Sequence, residues 1–330
     1  NSFMLGITKC NVALQYLTKL EQTEEVKNYV NETLFIRALC MYHLMDCFGH
    51  FPMREYTETD YSKLPVILER EQALSRIITE LETIIPQLKE KGEVPYGRIT
   101  KAAAQLLLAK VYLNYQVYTG TAPTFADGQS KWTETIDLCD DIIGSGKYTL
   151  STDFWKLYLA DNQKESDATE TILPIIFNNA IGLKGIPWLN ITLHYNQKFG
   201  SFTSIWNGCC TTPTFLATWD TTDPRYQDNR LKSQIGFNLG ILVGQQYSAN
   251  GSELLTRSGS KLIFTPEFSV HNSTEAQGAR VVKYAPDPTS TYGSNSENDF
   301  QYYRLADVYL MRAEAKFRSG DVDGALTDIN

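Results

Sequence analysis

Apolar residues recur at helical spacing through the first half of the chain, which limits it to a helix-built scaffold. Ile7, Cys10, Leu14 and Leu17 form one stripe, and Val30, Leu34, Ala38, Met41 and Met45 a second that Gly49 and Pro52 should stop. Leu74, Ile77, Leu81, Ile84 and Leu88 give a third, with Pro86 bending its last turn. Thr100 is placed to cap a fourth helix running from Lys101 to Tyr118. Trp132, Ile136, Cys139 and Ile143 mark a fifth, ended near Gly144. At the far end, Arg304 to Arg318 reads as a helix carrying Leu305, Val308, Met311, Ala315 and Phe317. Ser319-Gly320-Asp321 is its turn, and a second helix starts near Val322.

Two of these units resemble each other. Ala109-Lys-Val-Tyr-Leu113 compares with Ala306-Asp-Val-Tyr-Leu310, each in a small-residue-rich helix followed by a turn and an amphipathic partner. This is the pattern of tetratricopeptide repeats, in which neighbouring helix pairs bury one another's apolar faces. The first unit carries an insertion from Thr119 to Lys131.

The region from 161 to 300 differs. It is rich in Gly, Pro, Asn, Ser and Thr, with turn pairs at Asp223-Pro224, Asn250-Gly251 and Pro286-Asp287-Pro288. Thr171 to Phe177 reads as a buried strand, and Lys261 to Thr265 and Ala279 to Tyr284 as short strands. The expected fold is therefore mainly α. Residues 1–160 form a tetratricopeptide-like helical-hairpin scaffold, 161–300 an irregular, partly β inserted subdomain, and 301–330 helices returning to the scaffold. The unfinished helical pattern at the end and the absence of a leader-like start read as a chain truncated at both ends.

Composition excludes several classes. The net charge of -8 disfavours a nucleic-acid partner, and no run of 18 apolar residues is present to span a bilayer. The cysteines Cys10, Cys40, Cys47 and Cys139 lie in helical patterns and read as small buried hydrophobes, while adjacency alone does not make a disulfide of Cys209-Cys210. His43, His50, His194 and His271 show no metal-ligand spacing, so no metal or cofactor is expected. Gly144-Ser-Gly-Lys147 lacks the first glycine and the Ser/Thr of a phosphate loop, and Asp321-Val-Asp323-Gly324 has its glycine too early for a calcium loop; both read as helix-flanking turns. No G-x-S-x-G elbow occurs. Arg37 and Glu314 stand on otherwise apolar helices and are expected to hold helices together as partly buried paired charges.

Four segments resemble the SusD/RagB family of outer-membrane glycan-binding lipoproteins. They are Glu32-Thr-Leu-Phe-Ile-Arg-Ala38 running into Phe48-Gly-His-Phe-Pro52; Gly97-Arg-Ile-Thr-Lys101 with Leu108-Ala-Lys-Val-Tyr-Leu113; Trp132 to Leu150; and Tyr303-Arg-Leu-Ala-Asp-Val-Tyr-Leu-Met-Arg-Ala-Glu-Ala315. Trp219-Asp220 with Asp223-Pro-Arg225 is similar to the family's acidic-Pro-Arg turn. The resemblance implies a SusD-like fold and non-catalytic binding of an oligosaccharide or polysaccharide. It also implies a SusC-like TonB-dependent transporter as partner and attachment to the outer membrane, surface-exposed, through a lipid anchor missing from this chain.

A saccharide site of this kind needs exposed rings to cover the C–H face of a pyranose and amides to bond its hydroxyls. Trp188, His194, Tyr195, Trp206 and Asn207 combine these in the Gly-rich part of the inserted half and are the candidate ligand-binding residues. Two other readings compete. A tetratricopeptide-type scaffold or peptide-binding nutrient receptor would use a concave helical groove, and a hydrolase would need two carboxylates facing each other about 5–10 Å apart.

Overall fold

A computed structural model describes residues 2–60, 62–164, 168–183, 185, 191–200, 202–287 and 296–330. The helices are α1 (Ser2–Leu17), α2 (Glu24–Phe48), α3 (Arg70–Ile84), α4 (Lys101–Leu113), α5 (Tyr115–Thr119), α6 (Trp132–Gly144), α7 (Pro213–Leu216), α8 (Lys232–Ile235), α9 (Leu305–Ser319) and α10 (Val322–Ile329). None is long and apolar enough to cross a membrane. The chain divides into two compact units. The first comprises Asn1–Leu150, Thr171–Leu173 and Tyr303–Asn330, the second Ser151–Glu170 and Pro174–Tyr302.

In the first unit the helices pack pairwise: α1 on α2, α2 on α3, α4 on α6, α6 on α9 and α9 on α10. The expected stripes supply the contact faces. Leu74, Ile77, Leu81, Ile84 and Leu88 are all buried, and Pro86 ends α3 in a 3₁₀ turn over Ile85–Gln87. Thr100 caps α4, its side chain accepting from the Ala103 N–H at 3.4 Å. Asp321 caps α10, accepting from the Gly324 N–H at 3.0 Å. The Asp-x-Asp-Gly segment is thus a repeat turn. A short hairpin of β1 (Phe51–Met53) and β2 (Val66–Leu68) pairs Pro52 with Ile67.

Arg37 on α2 is buried. Its Nη2 donates to Glu80 Oε1 on α3 at 2.6 Å and its Nη1 to Asn11 Oδ1 on α1 at 2.9 Å, so one guanidinium ties three helices.

Several local expectations are corrected. The helix expected from Lys101 to Tyr118 breaks at Asn114, whose side-chain amide donates to the Lys110 carbonyl at 3.1 Å and competes with the helical ladder. On α6 the buried line is Thr135, Cys139 and Ile142, rotated one position from the apolar stripe. Phe317 is 63% exposed, because two residues past buried Ala315 is about 200° around a helix. Cys47 is exposed for the same reason relative to Met45. Glu314 is not buried; it pairs across one turn with Arg318 in solvent.

The chain passes between the units within β3 (Thr171–Ile175). The second unit holds β4 (Gln227–Asp228), β5 (Leu239–Leu242), β6 (Gly244–Gln245), β7 (Ile263–Phe264) and β8 (Arg280–Val282). The chain returns within β9 (Phe300–Arg304). Strands β4, β5 and β8 form an antiparallel sheet with Gly240 opposite both Gln227 and Val282, and β6 pairs with β7. With so little ladder, the unit relies on an aromatic core and on side-chain amides that staple loops. Trp155, Phe199, Phe202, Phe237 and Phe264 lie in one buried cluster, Phe199 stacked on Phe202 at 4.8 Å. Buried Asn162 donates to the carbonyls of Leu157 and Asp299, and buried Asn298 to those of Tyr158 and Ala285. These amides bond backbone oxygens of the loops and tie distant segments together.

Candidate functional site

Three of the candidate residues, His194, Tyr195 and Asn207, converge on Glu275, Tyr195 through Arg257. The turn carrying His194 and Tyr195 is anchored by amides: Gln197 accepts from the His194 N–H at 2.8 Å and donates to Gln246 at 3.1 Å, and Asn196 donates to the Leu255 carbonyl at 2.7 Å. The last bond ties that turn to a hairpin in which Leu255 bridges Lys261 and the Thr256 N–H donates to the Ser260 carbonyl. Arg257 sits at the tip of this hairpin. Its backbone N–H and its Nε both donate to the Glu275 carboxylate, at 2.6 and 2.5 Å. Its guanidinium lies over the Tyr195 ring, 4.2 Å from the centroid, a cation–π contact that fixes both side chains.

His194 is fully buried beneath this arrangement. Its Nδ1 accepts from the Asn196 N–H at 3.1 Å, so the neutral ring carries its proton on Nε2. That nitrogen faces Glu275 Oε1 at 3.6 Å, too far for a hydrogen bond. Burial pushes the imidazole below its ordinary 6.5, against the pull of Glu275. Burial also pushes Glu275 up, but the hydrogen bonds from Arg257 outweigh it and hold the carboxyl below its usual range. The ring therefore supports the Tyr195 turn from below instead of facing solvent.

Asn207 adopts φ 50°, a left-handed conformation that asparagine tolerates. Its amide donates to the Glu275 carbonyl at 2.9 Å, and its oxygen accepts from Arg280 Nη2 at 2.8 Å. Trp206, the residue before it, is 54% exposed. Trp188 lies outside the described residues. Behind the site, Gly278 has φ +81° and touches Cys210, whose sulfur would lie 2.4 Å from any added Cβ, so only glycine fits.

Thr256, Arg257, Ser258, Ser260, Lys261, Thr274, Glu275 and Ala276 line an open hollow of about 610 Å³ next to the Tyr195 turn. Sequence reading missed this rim. Its trace is the Thr256-Arg-Ser-Gly-Ser-Lys261 turn between leucines, legible as a hairpin tip but silent about what faces it.

Residues 117–330 match the family described as the SusD family. The chain belongs to the SusD family. Residues 1–113 match a second description, "Starch-binding associating with outer membrane". The chain is 27% identical to the starch-binding protein SusD of Bacteroides thetaiotaomicron, over 96% of this chain and 60% of that protein. It therefore spans about three fifths of that SusD relative. Among solved structures, a SusD superfamily protein from Parabacteroides distasonis superimposes with TM-score 0.71 at 22% identity, covering 99% of this chain and 64% of that one. A laminarin-binding SusD-like protein gives TM-score 0.66 at 20% identity, covering 99% and 68%. The mainly α fold expected from the helical stripes is the fold these SusD-like structures share.

Proposed function

We propose that this chain captures an oligosaccharide or polysaccharide without cleaving it. It does so at the surface of the outer membrane, held there by a lipid anchor outside this sequence, and hands the ligand to a SusC-like TonB-dependent transporter. The observation that carries the reading is an exposed ring beside fixed polar groups on a loop-built surface: Trp206 is open to solvent, while Tyr195 and Asn207 are locked around Glu275. Such a surface needs no rearrangement to dock a chain of sugars. The starch-binding and laminarin-binding relatives support saccharide as the ligand class, and the outer-membrane wording of the first match supports the location.

Catalysis is disfavoured at this hollow. Glu275 is the one carboxylate among its lining residues and is already bonded to Arg257, whereas glycoside hydrolysis generally uses two carboxyl groups.

Affinity electrophoresis through gels containing plant, host and microbial polysaccharides tests the reading. Retardation by at least one polymer, lost in Trp206→Ala, is the expected result. Retardation unchanged in that variant removes Trp206 from the surface, and release of reducing ends from a retained polymer would replace capture with hydrolysis.

A further inference from the structure

The charge around the hollow does not balance. Arg280 is buried, and every N–H of its guanidinium meets a neutral oxygen: Nε and Nη2 donate to Asn207 Oδ1, Nη2 also to the Glu275 carbonyl, and Nη1 to the carbonyls of Gln277 and Gly278. Its charge is spread over those dipoles and the Phe264 ring, 4.6 Å below, with no carboxylate among the described residues paired to it. On the hollow itself, Arg257 pairs with Glu275 and Lys261 with Glu253, which leaves the charge of Arg280 as the uncompensated one. In a chain of net charge -8 this corner is locally positive.

Arg257 is also aimed. Its backbone N–H and Nε hold Glu275, and its face lies on Tyr195. The two terminal amino groups have no acceptor among the described residues, and the side chain is 63% exposed. A guanidinium fixed through Nε with its far edge open presents a forked pair of donors, the geometry that meets a carboxylate or sulfate with two parallel hydrogen bonds. Lys261 lines the same hollow, 59% exposed, paired with Glu253, which does not line it.

We infer that the saccharide bound here carries an anionic group, the carboxylate of a uronic acid or a sulfate ester, seated on the open edge of Arg257 with Lys261 beside it. The inference rests on saccharide capture and adds the ligand's charge to it. Hydroxyls of Ser258, Ser260 and Thr274 would bond the same sugar ring.

Matched polymers test it: polygalacturonate against its methyl ester, and dextran sulfate against dextran, by affinity electrophoresis at low and high salt. The charged member of one pair should retard the protein and its neutral partner should not, with retardation falling as salt rises. Arg257→Gln should weaken it about tenfold, the scale of one charge-assisted contact. Arg257→Lys should recover the salt dependence but not the full affinity, because an ammonium lacks the fork. Which pair responds separates carboxylate from sulfate. Equal retardation by a neutral partner, unchanged in Arg257→Gln and indifferent to salt, overturns the anionic group and leaves saccharide capture standing. If none of these polymers nor any in the wider panel retards the protein, both readings fall.

Discussion

Each unit of this chain buries an arginine, and the two are treated differently. Arg37, in the helical unit, is met by the carboxylate of Glu80 at 2.6 Å, itself also bonded to Arg76. Arg280, in the loop-built unit, is met only by amide and backbone oxygens. Helices already satisfy their own backbone, so a polar group between them can find its partner only in another side chain. Loops leave carbonyls unsatisfied, and an arginine can bond several at once. The first arrangement neutralises a charge inside a scaffold. The second organises loops and leaves a positive charge beside a surface.

The contrast can be broken by deleting each arginine in turn. Arg37→Met leaves the buried Glu80 carboxylate with Arg76 alone and should cost about 3 kcal/mol, the lower end of the range for breaking a buried ion pair. Urea unfolding measures it, and Arg37→Met combined with Glu80→Met should recover much of the loss. Arg280→Met strands neutral oxygens only, so it should cost about 2 kcal/mol. The damage should stay local: amide exchange should quicken around 194–207 and 274–280 while α1–α4 keep their protection. Equal costs for the two variants would show that charge compensation is not what separates the units.

A smaller effect sharpens the same comparison through pH. Burial lowers the His194 pKa below its ordinary 6.5, and that of His43 likewise despite the opposing pull of Asp46. The unfolded chain therefore binds a proton that the folded chain resists. The stabilisation is complete above the unfolded value and is lost as pH falls through the lower folded one. His194→Gln should flatten the fall in stability below about pH 6.5, measured by thermal unfolding. A fall of the same slope in that variant would mean that His194 does not report on the loop unit.

Much of the scaffold was legible because helical burial repeats locally: Leu74, Ile77, Leu81 and Ile84 announce α3 and are buried in it, and Leu88 is buried just past its end. Thr100 and Asp321 announced their caps by residue type and position. Where the reading slipped, tertiary packing chose among neighbouring faces, as on α6, or a side chain intervened in the ladder, as at Asn114. The site was legible only in part. Tyr195 and Asn207 stood out as a ring and an amide among glycines, but Arg257 and Glu275 lie far along the chain from them. No period links residues brought together by irregular loops, so neither the stacking of Arg257 on Tyr195 nor the burial of His194 had a sequence trace.

The mildest expected change marks the lower limit of the comparison. Glu314, read from sequence as a buried partner, pairs with Arg318 one turn along α9, both side chains about half exposed at 46% and 47%. Water screens the pair, and each long side chain gives up rotamer freedom to hold it. Glu314→Ala should therefore cost no more than about 0.5 kcal/mol, within the range for i,i+4 helix pairs. The same formal loss of one ion pair at Arg37 should cost several times more, because there the partner carboxylate is buried. A cost at Glu314 near that of Arg37 in matched urea titrations would mean that burial does not set the price of a broken pair in this scaffold.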